Sequence, residues 1–473
     1  MSHDHAPEPR RLVVVGAGIA GLAAADAVRR AAPDVEVVVL EASPALGGKL
    51  ASAEVGGVRV DVGAESMLNR RPEAVALARE AGLGDRLVHP ESIAANLWSR
   101  GRMRPMPRTL MGVPTDARRL AESGVISKHG LARVAVEPML AATHLDGQDV
   151  SIGWLVEERF GREVVDRLVE PLLGGVYAGH AREISASAAA PQVVALLDRD
   201  RSMMHAAAAA TAAVSDVPVF AGLVGGLAQL AGAVAAGLDV RTGSTVRDLS
   251  RGAEGGWDLV VGSAHDAATP PADAVVLATP ARPAARLLAD VAPGASLELG
   301  LIDYASMAIV TMAFRARDFP ATEGSGFLVP PVDKRVVKAS TYSFAKWDWI
   351  RAAGDAGEDA VLVMRCSIGR YREEETLQRT DEELVQLALE DLADAIGLSV
   401  RPVDAHVQRW GGALPQYAVG HVDRVRRIRH AVAAEPGLAV CGAVYDGLGL
   451  PACIASAQLA ATQVLAALAD GGE

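Results

Sequence analysis

Apolar residues along the chain follow two rhythms. Short unbroken runs, LVVV (12–15), VEVVVL (35–40) and AVVLA (274–278), read as buried strands. After the first run, helical spacing continues from Ile19 to about Ala32 and stops at Pro33. The longer runs ASMAIVTMAFR (305–315) and AVLVMRCSIG (360–369) predict strands of an antiparallel sheet. IGWLVEERFGREVVDRLVEPLL (152–173) repeats at helical spacing, and MHAAAAATAAV (204–214) predicts a packed helix of little amphipathic character. TDEELVQLALEDLADAIGL (380–398) predicts a helix with Thr380 as N-cap and Glu383 completing a capping box. SRGAEGGWD (250–258) and GEDA (357–360) read as turns. Strands that alternate with helices place the chain in the α/β class.

The first turn carries candidate chemistry. Gly16, Gly18 and Gly21 follow the first strand directly and open the first helix. Such glycines serve a tight turn, close backbone approach to a pyrophosphate, and close helix–strand packing. The second strand ends at Glu41, twenty residues after Gly21. A carboxylate there accepts from both hydroxyls of an adenosine ribose and repels a 2′-phosphate, which disfavours NADP. ASPALGGKL (42–50) then supplies Gly47, Gly48 and Lys49. This stretch resembles the glycine-pair extension of the glutathione-reductase-like and amine-oxidase-like FAD superfamily. VRVDVGAES (58–66) is similar to that superfamily's segment beside the flavin.

More distant pieces fit the same pattern. Gly225 and Gly226 form a turn entering a helix, LDVRTGSTVRDL (238–249) reads strand–turn–strand, and ADAVVLATPA (272–281) ends in Ala-Thr-Pro. The last segment, LAVCGAVYDGLGLPACIASAQLAATQVLAAL (438–468), is strand, glycine-rich turn and long helix. Pro451 suits the first turn of that helix, where its missing N–H costs nothing. The resemblance implies non-covalent FAD held by Gly16, Ala17, Gly18, Ile19, Ala20 and Gly21, with Glu41 and Ala42 at the ribose. Gly48 and Lys49 would stand near phosphate, and Gly63, Ala64, Glu65 and Ser66 beside the flavin. Val246 would meet adenine, and Trp410, Gly449, Leu450 and Pro451 would complete the flavin site.

Bulk properties narrow the function. Across 473 residues, 50% are hydrophobic and 22% charged, as in a globular protein of two or three domains. A net charge of −12 and 4% aromatics argue against nucleic-acid binding. Only five of the 46 basic residues are lysines, which leaves many planar forks suited to carboxylates. Cys366, Cys441 and Cys453 are odd in number, lack metal spacing, and sit in apolar stretches, so buried free thiols and no metal site are expected. The polar start MSHDHAPEPRR has no signal-peptide core, and the best apolar stretch, 203–238, is interrupted by Asp216 and Pro218. A cytoplasmic protein without a transmembrane span is expected.

Four further motifs point to one family. GLGLPACIASA (447–457), PLLGGVYAGHAREIS (171–185), GRMRPMP (101–107) and RWGGALPQYAVGH (409–421) closely resemble signatures of the protoporphyrinogen/coproporphyrinogen oxidases, and GFLVP (326–330) agrees. The resemblance spans Arg11 to about Leu468. Ala452 and His180 stand where the family commonly has acidic residues, and Ala457 where it has glycine.

The resemblance implies oxidation of coproporphyrinogen III to coproporphyrin III: six electrons leave, dioxygen accepts them, and three hydrogen peroxide form. Protoporphyrinogen IX is the alternative substrate. In the family a backbone carbonyl of the G-G-V-Y-A-G loop steers the macrocycle, and Gly175 is the matching residue. Candidate propionate ligands are Arg70, Arg71, Arg102 and Arg104, with Arg100 and the run Arg424, Arg426, Arg427 and Arg429 also considered. The family leaves room for transient contact with a ferrochelatase and for peripheral membrane contact. The expected architecture is a discontinuous, Rossmann-type, amine-oxidase-like FAD domain (1–85, 216–285 and 434–473). An α+β substrate domain (86–107 and 286–433) and a helical subdomain (108–215) accompany it. Competing readings are an amine oxidase using Lys334 or Lys338, a carotenoid desaturase, and a non-catalytic FAD- or tetrapyrrole-binding protein.

Overall fold

The computed structural model describes residues 10–470 except 93, 213–216, 254 and 263–270. The first nine residues, the end of the 204–214 stretch and Glu254 of the SRGAEGGWD turn lie outside the described residues.

Five parallel strands form one sheet in the order Asp239–Arg241, Glu36–Leu40, Arg11–Val15, Ala274–Leu277, Leu438–Val440. Val13 is flanked by Val38 and Val275. Helices cover both faces, which is why the inner strands read as unbroken apolar runs, whereas the edge strand Asp239–Arg241 is polar and largely exposed. On one face, helix Ile19–Ala31 packs against the last helix, Leu450–Asp470. Their shared core contains Ala20, Ala23, Ala24, Ala457, Ala460 and Ala461, whose small side chains bring the backbones close.

The second face carries helices Ala281–Leu287, Pro293–Gly300 and His421–Ala433. Leu299, Ile428 and Val432 share a core there with Val13, Val275 and Val440. The sequence groups 286–302 and 421–433 with the substrate-side strands, but packing puts them on the nucleotide-binding sheet. Their neighbours along the chain belong to the other sheet, so adjacency in sequence misdirects the assignment.

Seven strands form the second sheet in the order Asp404–Pro415, Tyr304–Arg315, Val361–Ile368, Val337–Thr341, Gly326–Leu328, Ala95–Ser99, Arg102–Pro105. It is antiparallel except where Gly326–Leu328 runs parallel to Ala95–Ser99. Its outer face is covered by helix Asp381–Ile396, which opens with the expected Thr380–Glu383 capping box and ends at Gly397 in a left-handed conformation.

The helical region is less regular than its periodicity suggests. The 152–173 pattern breaks at Gly161 (φ +86°), passes through a π-helical turn at Val165–Val169, and resumes as Glu170–Tyr177. Pro171 supplies the cause: it has no N–H, and its ring would strike the carbonyl of Arg167 in a regular α-helix. Helix Met203–Ala212 buries Met203, Met204, Ala206 and Ala207. All three cysteines are free and buried, as expected. Among the described residues, one helix is long and apolar enough to cross a membrane, Leu450–Ala469 (mean hydropathy 1.6). Its Ile454, Ala457, Ala461 and Val464 are core residues, so this apolarity serves packing.

Candidate active site

The glycine turn is built tightly. Gly16 has φ +107°, and a Cβ there would stand 2.9 Å from the Ala278 carbonyl oxygen. A Cβ on Gly21 would fall 1.9 Å from the Gly16 oxygen. A Cβ on Gly18 would meet no protein atom within 4 Å. The first and third glycines therefore let helix and strand meet, while the second leaves space beside the helix N-terminus for a ligand. Gly47 donates to the Ala17 carbonyl at 2.8 Å and ties the second glycine pair to the first turn.

Glu41 sits beneath this turn. Its carboxylate accepts from the Ala17 N–H at 2.7 Å and from the Ser43 N–H at 2.8 Å. Ala42 next to it is exposed, Ile19 is half-buried, and Ala20 packs inward toward Gly442. Lys49 is exposed at the surface, although the protein around it partly desolvates its ammonium. Burial lowers its pKa, with Cys453 opposing. Val246 begins a strand whose neighbouring turn is tied to the ribose end, because Ser244 donates to the Glu41 carbonyl at 2.7 Å.

The Gly63–Ser66 segment is half-buried and pinned from the second sheet. Trp410 Nε1 donates to the Val62 carbonyl at 3.0 Å, and a Cβ on Gly63 would fall 2.0 Å from the Lys49 carbonyl oxygen and 3.2 Å from the Trp410 ring. Arg365 donates to the carbonyls of Asp61 and Gly63, both at 3.1 Å. Glu65 pairs with Lys346 at 2.5 Å and with Arg365 at 3.2 Å. Burial alone would raise the Glu65 pKa, but Arg365 and Lys346 outweigh it and hold the carboxylate below its ordinary value.

Sequence reasoning passed over Asp61, Lys346 and Arg365, as well as Thr279. Asp61 accepts from the Leu227 and Ala228 N–H groups at 2.8 and 3.2 Å and so caps helix Ala228–Ala235. Gly226 (φ +95°) must be glycine, since a Cβ would lie 2.8 Å from the Asp61 carboxylate. Burial pushes the Asp61 pKa up to about 6 against the pull of those donors.

Several polar groups along this cleft have no protein partner, and they suit a dinucleotide. The buried Thr279 hydroxyl beside Gly16 has none among the described residues. At the start of the last helix, the Leu450 and Ala452 N–H groups find no acceptor among the described residues. Pro451 lacks an N–H, and Gly449 keeps that approach free of a side chain. A helix N-terminus of this kind favours negative charge. The empty space at Gly18, the Glu41 carboxylate and these free donors together fit FAD.

The proposed substrate side is more dispersed. Gly175 is exposed near the C-terminal end of helix Glu170–Tyr177, and its carbonyl accepts no hydrogen bond among the described residues. Leu328 of the second sheet lies beside it. Arg70 is exposed and unpaired among the described residues, whereas Arg71 pairs with Glu73 at 2.6 Å. Arg102 is exposed, and Arg104 donates to the Ser99 carbonyl at 3.2 Å. Their edge strand lies four strand spacings, about 19 Å, from the strand carrying Arg365. Arg100 is tied to Glu163. Arg424 and Arg427 pair with Glu298, Arg426 with Asp423 and Arg429 with Asp446. All four lie on the helix behind the nucleotide-binding sheet, which removes that run from the candidate propionate ligands. Of the lysines an amine oxidase would require, Lys334 is exposed in a turn and Lys338 is buried with no partner for its ammonium.

A family model described as flavin containing amine oxidoreductase matches residues 19–465. The chain belongs to this family. It is an oxidoreductase, and its cofactor is a flavin. Among its relatives, a Mycobacterium tuberculosis protein named coproporphyrinogen III oxidase is 38% identical, over 97% of this chain and 98% of that one. A Bacillus subtilis protein of the same name is 29% identical over 96% of this chain and 98% of the relative. A solved structure from Exiguobacterium sp. 255-15, provisionally named a protoporphyrinogen oxidase, superposes with a TM-score of 0.86 at 31% identity, covering 97% and 99% of the two chains. These findings bear out the resemblance to porphyrinogen oxidases. Cyclohexylamine oxidase from Brevibacterium oxydans shares the fold (TM-score 0.70) at 14% identity.

Proposed function

We propose that the chain oxidises coproporphyrinogen III to coproporphyrin III on the coproporphyrin-dependent route to haem, with dioxygen as acceptor. Six hydrogens leave the macrocycle and three dioxygen become three hydrogen peroxide, so atoms and electrons balance. The observation that carries this reading is the end-to-end match, at 38% identity, to relatives named for this substrate.

Bound FAD supplies the two-electron redox chemistry. The chain's own residues bind and orient. In this reading Gly16–Gly21, Glu41, Lys49 and the Gly63–Ser66 segment would hold the cofactor, and the Leu450 and Ala452 N–H groups would favour negative charge on it. Gly175 offers its unbonded carbonyl to the pyrrole N–H groups of the macrocycle and so places the reacting carbon. Arg70 and Arg102, both exposed and unpaired among the described residues, are the open forks for a propionate among the arginines considered. The segments 1–85, 216–285 and 434–473 would carry the flavin, with the substrate between them, the second sheet and the helical region. A cytoplasmic location and a transient product-side contact with a ferrochelatase complete the proposal.

The test is steady-state oxidation of coproporphyrinogen III and protoporphyrinogen IX by the purified holoprotein, with peroxide measured alongside. The reading expects a higher kcat/KM for the four-carboxylate substrate and three peroxide per porphyrin. A higher kcat/KM for the divinyl substrate would replace the substrate assignment with protoporphyrinogen IX.

A further inference from the structure

The family-like motif RWGGALPQYAVGH places its tyrosine and histidine away from the glycine turn, behind the loop that leads into the last helix. Tyr417 is 1% exposed. Its hydroxyl donates to the Ala443 carbonyl at 2.6 Å and accepts from the Gly447 N–H at 2.9 Å. A phenol has one proton to give, so both bonds are defined by the partners. One side chain thereby bridges both ends of the segment 443–447.

His421 stacks on the Tyr417 ring, with centroids 3.9 Å apart and planes at 12°. Its Nε2 lies 3.3 Å from the Tyr445 carbonyl, the middle of the same segment. A ring nitrogen facing a carbonyl must carry the proton, which fixes the tautomer. Burial lowers the His421 pKa to about 4, so the ring is neutral at physiological pH. Arg429, on the same helix as His421, pairs with Asp446. The loop is thus held at four points, Ala443, Tyr445, Asp446 and Gly447, from one structural unit.

The last helix, which begins directly after the loop, gives this clamp a purpose. Gly447 (φ +138°) packs so closely that a Cβ would lie 2.8 Å from the Ala452 Cβ. Cys453 donates its N–H to the Gly449 carbonyl at 3.0 Å, closing the first turn of the last helix. The unbonded Leu450 and Ala452 N–H groups stand at that turn. Any shift of the loop therefore moves the positive end of the helix relative to the flavin, and its influence falls off within one turn.

We propose that Tyr417 and His421 are positioning residues that set the redox potential of the bound flavin, by fixing the loop 442–449 and with it the N-terminus of helix Leu450–Asp470. This rests on the FAD site described above and is independent of which porphyrinogen is oxidised. Loosening the clamp weakens stabilisation of negative charge on the flavin, so the potential becomes more negative.

The test measures the midpoint potential of substrate-free holoprotein by anaerobic dye-equilibrated titration, beside the melting temperature of each variant. Tyr417→Phe keeps the ring stack and removes both hydrogen bonds. His421→Leu removes the bond to Tyr445. In each, the preference for the reduced form is expected to fall about tenfold, which for a two-electron couple is about 30 mV more negative. His421→Gln, whose amide N–H can reach the same carbonyl, is expected to restore the parent potential. Unchanged potentials with lowered melting temperatures would overturn the proposal and leave both residues as scaffold. If Tyr417→Phe yields no folded holoprotein, the His421→Leu and His421→Gln pair decides by the same criterion. No porphyrinogen enters the measurement, so a wrong substrate assignment would show only in turnover.

Discussion

Replacing Gly18 and Gly21 by alanine in turn should separate the cofactor's space from the fold's. At Gly21 the new Cβ would stand 1.9 Å from the Gly16 oxygen. Carbon–oxygen contacts rarely fall below about 3.3 Å, so the helix would have to retreat by about 1.4 Å. Both atoms belong to backbone, and the Ala278 side chain lies only 3.1 Å away. Overpacking of this kind costs about 1–3 kcal/mol, more than the ~1 kcal/mol that alanine gains over glycine inside a helix. Gly21→Ala should therefore lower the melting temperature even without FAD. At Gly18 the new Cβ meets nothing within 4 Å, and the residue sits at the helix N-cap in extended conformation. Alanine for glycine at an N-cap changes stability by less than about 1 kcal/mol. The Gly18→Ala apoprotein should melt close to the parent, yet bind FAD at least tenfold more weakly, a loss of about 1.4 kcal/mol. Thermal melting of the apoproteins and FAD titration by fluorescence quenching read the two effects separately. Parent-like FAD affinity in Gly18→Ala would show that no phosphate approaches this residue, and the placement of the pyrophosphate would be wrong.

Three other outcomes rest on the same geometry. Glu41→Ala removes a charged acceptor worth about 1.5–3 kcal/mol, so FAD should dissociate some ten- to hundredfold more readily in equilibrium dialysis; a fully loaded variant would remove Glu41 from the site. Asp61 has its folded pKa raised to about 6, so its contribution to stability is present below its unfolded value near 4 and is lost as pH rises through 6. Asp61→Asn, which keeps one acceptor for the capped helix, should accordingly gain stability relative to the parent between pH 4 and 6.5, and a constant difference in melting temperature across that range would contradict the assignment. Burial lowers the Lys338 pKa to about 7, and its ammonium has no partner. The unfolded chain holds that proton up to about pH 10.5, so Lys338→Met should stabilise the protein by a few kcal/mol at pH 7, with the gain shrinking toward pH 10; denaturant unfolding at both pH values checks this.

Local signals carried most of the candidate cofactor site. Three glycines, a strand end at Glu41 and Pro451 ahead of a helix each act through their immediate neighbours, so spacing alone exposes them. The Thr380–Glu383 capping box was legible for the same reason. Asp61 was not, because the helix it caps begins at Ala228 and only folding unites them. The charge pair that pins Glu65 comes from Lys346 and Arg365, and no local pattern distinguishes these from other basic residues. Arginine-rich stretches misled in the opposite sense. The run from Arg424 to Arg429 looked ready for carboxylates, but its forks are occupied by acidic side chains of the chain itself. The π-helical turn before Pro171 departs from a helical pattern that continues through it, and only the proline hinted at the break.

On the proposed reading, one FAD cradle takes electrons from a porphyrinogen. The most direct measurement is anaerobic mixing of the purified yellow holoprotein with coproporphyrinogen III, watching flavin absorbance, with a polyamine as the parallel reductant. Rapid bleaching by the porphyrinogen and none by the polyamine is expected, with colour and stoichiometric peroxide returning when air is admitted. Bleaching by the polyamine alone, or a flavin that stays oxidised with every porphyrinogen, would contradict that reading.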